Sequence, residues 1–164
     1  MLKQVTDFFN PACQHPAINA VRFGLCDDVT RGAYPDESHS ADWIATVVND
    51  NQRDVVVTAI DKCVITDGQL LGVPRCDAML TTSDTLYLVE LKEKRKSWRS
   101  AAKAQLLSTI RLLEARHQLS GVYSTKMAYA CNRRQQFVTV TFDEQKEFHA
   151  LGYKLDLNAT VVVV

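Results

Sequence analysis

A single α/β domain, a central mixed β-sheet flanked by helices, is what this sequence predicts, and three observations carry the prediction. Residues 76–82 and 85–92 are two strand-like runs rich in Leu, Met, Thr, Tyr and Val, separated only by Ser83-Asp84. Two such runs joined by two turn-favouring residues read as a tight β-hairpin. A long helix is expected over residues 97–117, because Ala102, Leu106, Thr109, Ile110 and Leu113 recur at the spacing of one helical face and Ser97 suits the N-cap. Residues 125–131 then read as a further strand. At 164 residues and 18.4 kDa the chain has the size of one domain with a good core, its motif-bearing part spanning about residues 43–131.

The flanking segments are read in the same way. In the first fifty residues Val5, Phe8 and Phe9 suggest a short amphipathic segment ending at Asn10-Pro11, and residues 32–40 are turn-rich. Residues 43–48 and 54–60 read as strands joined in a hairpin by Asn49-Asp50-Asn51-Gln52. Toward the end, residues 142–151 read as a short helix stopped by Gly152, and residues 153–164 as strand. The closing run of valines, residues 161–164, is either a buried strand or an edge that pairs with a second copy to form a homodimer.

Composition narrows the function classes. Nineteen Lys plus Arg balance nineteen Asp plus Glu, so no global positive field advertises a non-specific nucleic-acid binder, although a local basic patch stays open. The five cysteines are odd in number and show no Cys-x-x-Cys spacing, which argues against zinc and a disulfide framework and for a reduced, cytoplasmic setting. The N-terminus shows no charged segment leading into an apolar run, and no apolar stretch approaches bilayer-spanning length, so no membrane partner is expected. The four histidines are scattered, and neither a Gly-x-Ser-x-Gly motif nor a phosphate-binding Gly-Lys-Ser/Thr loop is present.

The chemistry concentrates on the hairpin. With a two-residue turn Thr82 faces Thr85, and the same register sets Asp77 opposite Glu90, with Cβ atoms roughly 4.5–5.5 Å apart. A three-residue turn would send the two acids to different faces. Lys92, two residues beyond Glu90, shares its face. Two opposed carboxylates repel and burial aggravates the repulsion, so the pair calls for a compensating positive charge or a raised pKa, and a divalent cation such as Mg²⁺ is suited to supply the charge.

Arg75-Cys76-Asp77, Glu90-Leu91-Lys92 and a following helix carrying Gln105 together resemble the core of the PD-(D/E)XK nuclease superfamily, over roughly residues 75–131. The resemblance implies a restriction-endonuclease-like core and a metal-dependent nuclease acting on DNA or RNA. Asp77, Glu90 and the Leu91 carbonyl would bind Mg²⁺ or Mn²⁺, Lys92 would position the attacking water, and Gln105 would complete the site. Cys76 stands where the superfamily pattern has Pro. Many members carry a further acid upstream, and Glu37 is the first candidate for it, with Asp42 and Asp61 behind.

Lys94, Arg95, Lys96, Arg99 and Lys103 surround the single acid Glu93 just after the motif. They suit a nucleic-acid backbone, DNA foremost, and equally an ordinary solvated loop. Trp98 among them could stack on a base, but a large aromatic near a helix start is more often core. Arg133 and Arg134 could extend the basic surface. A second functional reading is a nuclease-fold domain without turnover, serving as a binding or assembly module in a phage-defence or toxin-related system.

Overall fold

The computed structural model describes residues 6–69 and 72–164. In chain order its main elements are β1 (Arg22–Asp28), β2 (Gly32–Asp36), β3 (Ala45–Val48), β4 (Val56–Ala59), β5 (Ala78–Thr81), β6 (Thr85–Lys92), α1 (Arg99–Arg116), β7 (Thr125–Asn132), α2 (Phe142–His149), β8 (Lys154–Asp156) and β9 (Thr160–Val162). They form two mixed sheets, a five-stranded one ordered β4-β5-β6-β7-β8 and a four-stranded one ordered β2-β1-β3-β9.

The β5–β6 hairpin has the expected register. Ala78 pairs with Val89 and Thr81 with Leu86, and the Thr82 N–H donates to the Thr85 carbonyl at 3.0 Å across the two-residue turn. The turn is reinforced by a 2.6 Å contact between the Thr82 and Thr85 hydroxyls. β6 is the middle strand, antiparallel to β5 and parallel to β7. Every residue of it except Lys92 is buried, as its unbroken apolar run requires.

Alternation along β6 divides the core in two. Leu86 and Leu88 face α1 and α2, packing with Leu106, Ile110, Leu113 and Phe148. Tyr87, Val89 and Leu91 face the four-stranded sheet, against Phe23, Leu25, Val47 and Val161. The α/β class therefore holds, with both helices on one face of the central sheet and a second sheet covering the other. The α1 stripe is buried as expected, but the cap lies one residue later than Ser97. Ser97 has φ +59°, and Trp98 takes the cap position with no side-chain hydrogen bond.

Four local expectations are corrected. The segments over residues 43–60 do form strands, but β3 and β4 belong to different sheets. Buried Asn49 turns the chain between them, its Nδ2 donating to the carbonyls of Ala20 and Arg53 and its Oδ1 accepting the Arg53 N–H. Residues 32–36, expected as turn, pair with β1 as strand β2. β1 itself escaped notice because Gly24 interrupts its pattern. A Cβ there would fall 1.9 Å from the Trp43 ring, so the glycine makes room for the indole. Residues 153–164 split into β8 and β9, which lie in different sheets.

The fourth correction concerns the cysteines. Cys13 and Cys63 form a disulfide, a bond of the kind that reducing compartments open, while Cys26, Cys76 and Cys131 are free and buried. β9 runs parallel to β3 at the edge of its sheet, with Val161 and Val163 buried and Val162 and Val164 exposed. Phe8 is buried at the start of the described chain, whereas Val5 lies outside the described residues. Among the described residues no helix is long and apolar enough to cross a membrane.

Candidate active site

The hairpin brings Asp77, Glu90 and Lys92 together on the face of the central sheet that α1 covers. Asp77 precedes β5 by one residue, and its N–H still donates to the Val89 carbonyl at 3.1 Å, so the pairing extends to it. Its Oδ2 accepts the backbone N–H of Leu91 at 2.8 Å. Glu90 is 1% exposed and Asp77 7%, so both carboxyl groups are out of water, where an unpaired charge is costly. Lys92 Nζ lies 3.0 Å from Glu90 Oε2.

The two acids are opposed across the hairpin, one step beyond the Ala78–Val89 pair, and near enough for each to shift the other's ionisation, so the pair calls for a proton or a cation between them. Burial pushes the Glu90 pKa well above the ordinary range, the negative charge of Asp77 adds to the rise, and Lys92 only partly opposes it. Burial also raises Asp77, against the hydrogen bonds from Glu90 and Leu91. Glu90 Oε1 is buried and receives no hydrogen bond from any described residue. An acceptor left in that state invites a donor or a cation.

The Leu91 carbonyl belongs to the same corner. The Lys92 carbonyl accepts the Arg133 N–H on the β7 side, and carbonyls alternate along a strand. The Leu91 carbonyl therefore points to the opposite side, past the end of β5, as does its N–H on Asp77. Gln105 reaches the motif from α1, its Nε2 donating to the Arg75 carbonyl at 3.3 Å while its buried Oε1 receives no hydrogen bond. Cys76, in the position of the pattern's Pro, is wholly buried, and its N–H donates to Thr109 Oγ1 at 2.8 Å.

The upstream acid is where sequence and structure diverge. Glu37 is exposed just past the end of β2, where Asp36 pairs with Gly24. Asp42 is exposed in a 3₁₀ turn over Ser40–Asp42. Asp61 comes nearer, since its charge helps raise Asp77, but its Oδ1 accepts from Arg75 Nε at 2.9 Å. An acid outside the sequence-based candidates lies in electrostatic reach of Asp77: Asp27, at the far end of the β1–β2 pairing from Glu37. Asp27 is exposed at the end of its strand, and partial desolvation together with the charges of Asp77 and Asp61 pushes its pKa up to about 6. Asp27 ends the apolar run Phe23-Gly24-Leu25-Cys26, the same sign that distinguishes Glu90.

The basic residues fall into two groups. Lys94, Arg95 and Lys96 are exposed in the loop after β6. Arg99 and Lys103 are instead committed to Glu144, Arg99 by a two-pronged pair and Lys103 at 3.0 Å. These two cations hold the Glu144 carboxyl well below its ordinary range, the Arg99 hydrogen bond contributing most. Trp98 is core, 3% exposed, with its Nε1–H donating to Gln135 Oε1 at 2.7 Å.

Does this donor set fit Mg²⁺ or Mn²⁺? Among the described residues no group of three or more His, Cys, Asp or Glu side chains is clustered to hold a metal. A hard cation of this type needs only one or two carboxylates, completing its shell with waters and substrate phosphates. Asp77, the under-satisfied Glu90 and the Leu91 carbonyl meet that requirement. No family model matches the chain, and neither a curated protein nor a solved structure matches it significantly.

Proposed function

We propose that the chain is a divalent-metal-dependent nuclease that hydrolyses phosphodiester bonds of DNA or RNA. One observation carries the reading: two buried carboxyl groups opposed across a hairpin, one with an oxygen that receives no hydrogen bond, beside a lysine ammonium. Asp77, Glu90 and the Leu91 carbonyl would hold Mg²⁺ or Mn²⁺, which supplies charge neutralisation at phosphate and a bound water of lowered pKa. Leu91 N–H fixes the rotamer of Asp77, and Glu90 fixes the ammonium of Lys92. Lys92 then presents N–H donors to the attacking water and to a non-bridging phosphate oxygen. Gln105 adds an amide oxygen that can orient a water.

The test is to incubate the protein with supercoiled, linear, branched and single-stranded DNA and with RNA, in Mg²⁺ or Mn²⁺. Cleavage lost in both Glu90→Ala and Lys92→Ala supports the proposal, and cleavage unchanged in those variants removes the site. A second reading, a nuclease-fold binding or assembly module without turnover, draws on the Glu90–Lys92 ion pair, which together with one shared proton satisfies much of the site without metal. Calorimetric titration with Mn²⁺ separates the two, since absence of binding by the wild type favours the module.

A further inference from the structure

We infer that the surface beside the carboxylates takes unpaired nucleic acid, a single strand or a single-stranded flap. This rests on the nuclease reading and names its substrate class. The surface is built from two segments stitched together beyond the C-terminal end of β6. Asn132 Nδ2 donates to the Lys94 carbonyl at 2.6 Å, and the Lys94 N–H donates to Asn132 Oδ1 at 3.2 Å. Trp98 is tied to Gln135, and Arg99 to the Thr139 carbonyl and Glu144. Between the segments lies a cleft of about 560 Å³ whose walls include Arg95, Lys96, Trp98, Gln135 and Val138.

Charge and aromaticity then select the occupant. Lys94, Arg95, Lys96 and Arg134 are exposed, and none of them forms an ion pair among the described residues, while the nearby acid Glu93 is taken by Arg133 at 3.2 Å. α1 starts here with no acidic residue in its first turn, so its end adds to the positive potential. Phe137 and Phe142 are 70% and 80% exposed. Phe142 adjoins the Thr141 and Glu144 cap that receives Arg99 of the cleft wall, whereas Phe137 lies in an extended segment bridged to Asn158 and points away from the side on which its neighbour Val138 lines the cleft. A large exposed aromatic at the edge of a cleft that carries unpaired cations supplies a base-stacking surface next to a phosphate track. In a duplex the base faces are covered by their neighbours, so Phe142 would contribute only to an unpaired strand. Lys92 leads directly into the loop, and three residues to Arg95 span at most about 10 Å, so a strand held here passes the carboxylates.

The test is fluorescence anisotropy of the full chain with labelled single-stranded DNA, single-stranded RNA and duplex DNA, in EDTA so that no substrate is cut. We expect either single strand to bind at least about tenfold tighter than the duplex. Phe142→Ala should weaken single-strand binding about fivefold or more with duplex binding unchanged, and Phe137→Ala, on the other side, should leave both unchanged. The double variant Arg95→Ala/Lys96→Ala should reduce the salt slope for single strands by roughly 1.4. Equal or tighter duplex binding, or single-strand affinity unmoved by Phe142→Ala, overturns the inference. Single-strand binding by a protein inert in Mg²⁺ and Mn²⁺ would support the surface and sink only the nuclease reading. Metal-dependent cleavage with a duplex preference would do the reverse.

Discussion

Asp77 and Leu91 are joined where β5 has ended and β6 runs on, the Leu91 N–H donating to Asp77 Oδ2 at 2.8 Å. The side chain replaces the backbone partner that the missing strand would have supplied, and so holds a carboxylate beside Glu90 without a further element. This separates two roles of one residue. Asp77→Asn keeps an acceptor for Leu91, and Asp77→Ala leaves a buried N–H unpaired, at a cost of about 1–3 kcal/mol. Denaturant unfolding should therefore rank Asp77→Ala below Asp77→Asn by that margin, while Mn²⁺ titration finds both without metal. Equal stability of the two would show that the hydrogen bond contributes nothing.

Glu90 governs the pH dependence of the metal-free protein. Its folded pKa is raised above the ordinary 4.5 by burial and by Asp77, so the folded chain binds protons more tightly than the unfolded one. Its contribution is complete below the ordinary carboxylate range and is lost as pH rises through the folded value. Metal-free stability should fall as pH rises from the mid-4s through that raised folded value. Glu90→Gln, whose amide can donate to Asp77 at any pH, should flatten that fall and raise stability at neutral pH. Mn²⁺ should restore the wild type, through binding to the folded state alone, and leave Glu90→Gln unmoved. Thermal melts over pH, with and without Mn²⁺, check all three.

The hairpin was legible because its register follows from two turn residues and a period of two, and Asp77, Glu90 and Lys92 are fixed by that arithmetic alone. The packing of Trp98 was legible too, from its size. What stayed hidden depends on contacts between distant segments. β3 and β4 look like a hairpin locally, and only the hydrogen bonds of Asn49 to Ala20 and Arg53 show that the chain changes sheets. Arg99 and Lys103 read as free cations until α2 brings Glu144 against them. β1 was masked by Gly24, whose reason is the Trp43 ring nineteen positions on.

The charge of Asp77 reaches Asp27, whereas Glu37 is exposed beyond the opposite end of the β1–β2 pairing. The pKa of Asp27, pushed up to about 6 by desolvation and by Asp77 and Asp61, will fall if a cation neutralises Asp77. Carbon-detected NMR titration of the Asp27 carboxyl should show a midpoint near 6 in the metal-free protein and a lower one with Mg²⁺. Asp27→Asn should weaken Mn²⁺ binding several-fold, and Glu37→Ala should leave it unchanged. The opposite ranking would return the upstream role to Glu37.

The Cys13–Cys63 disulfide closes a sequence separation of 50 residues, and a loop of that length restricts the unfolded chain by about 4 kcal/mol on chain-entropy grounds. Cys63 lies two residues from Asp61, in the turn where the Ile65 N–H donates to the Ile60 carbonyl at 2.9 Å. Asp61 in turn holds Arg75, the neighbour of Cys76-Asp77. Opening the bond should therefore lower stability by roughly 2–4 kcal/mol and loosen one wall of the carboxylate site. Cys26, Cys76 and Cys131 are buried, so alkylation of the native oxidised protein should label no thiol. Mild reduction should expose the two bonded cysteines, and reduction with unfolding all five. Two labels on the native protein before reduction would mean that the bond does not form in solution. In that case Cys13→Ser and Cys63→Ser should leave the unfolding midpoint almost where it was, which the same melts would read.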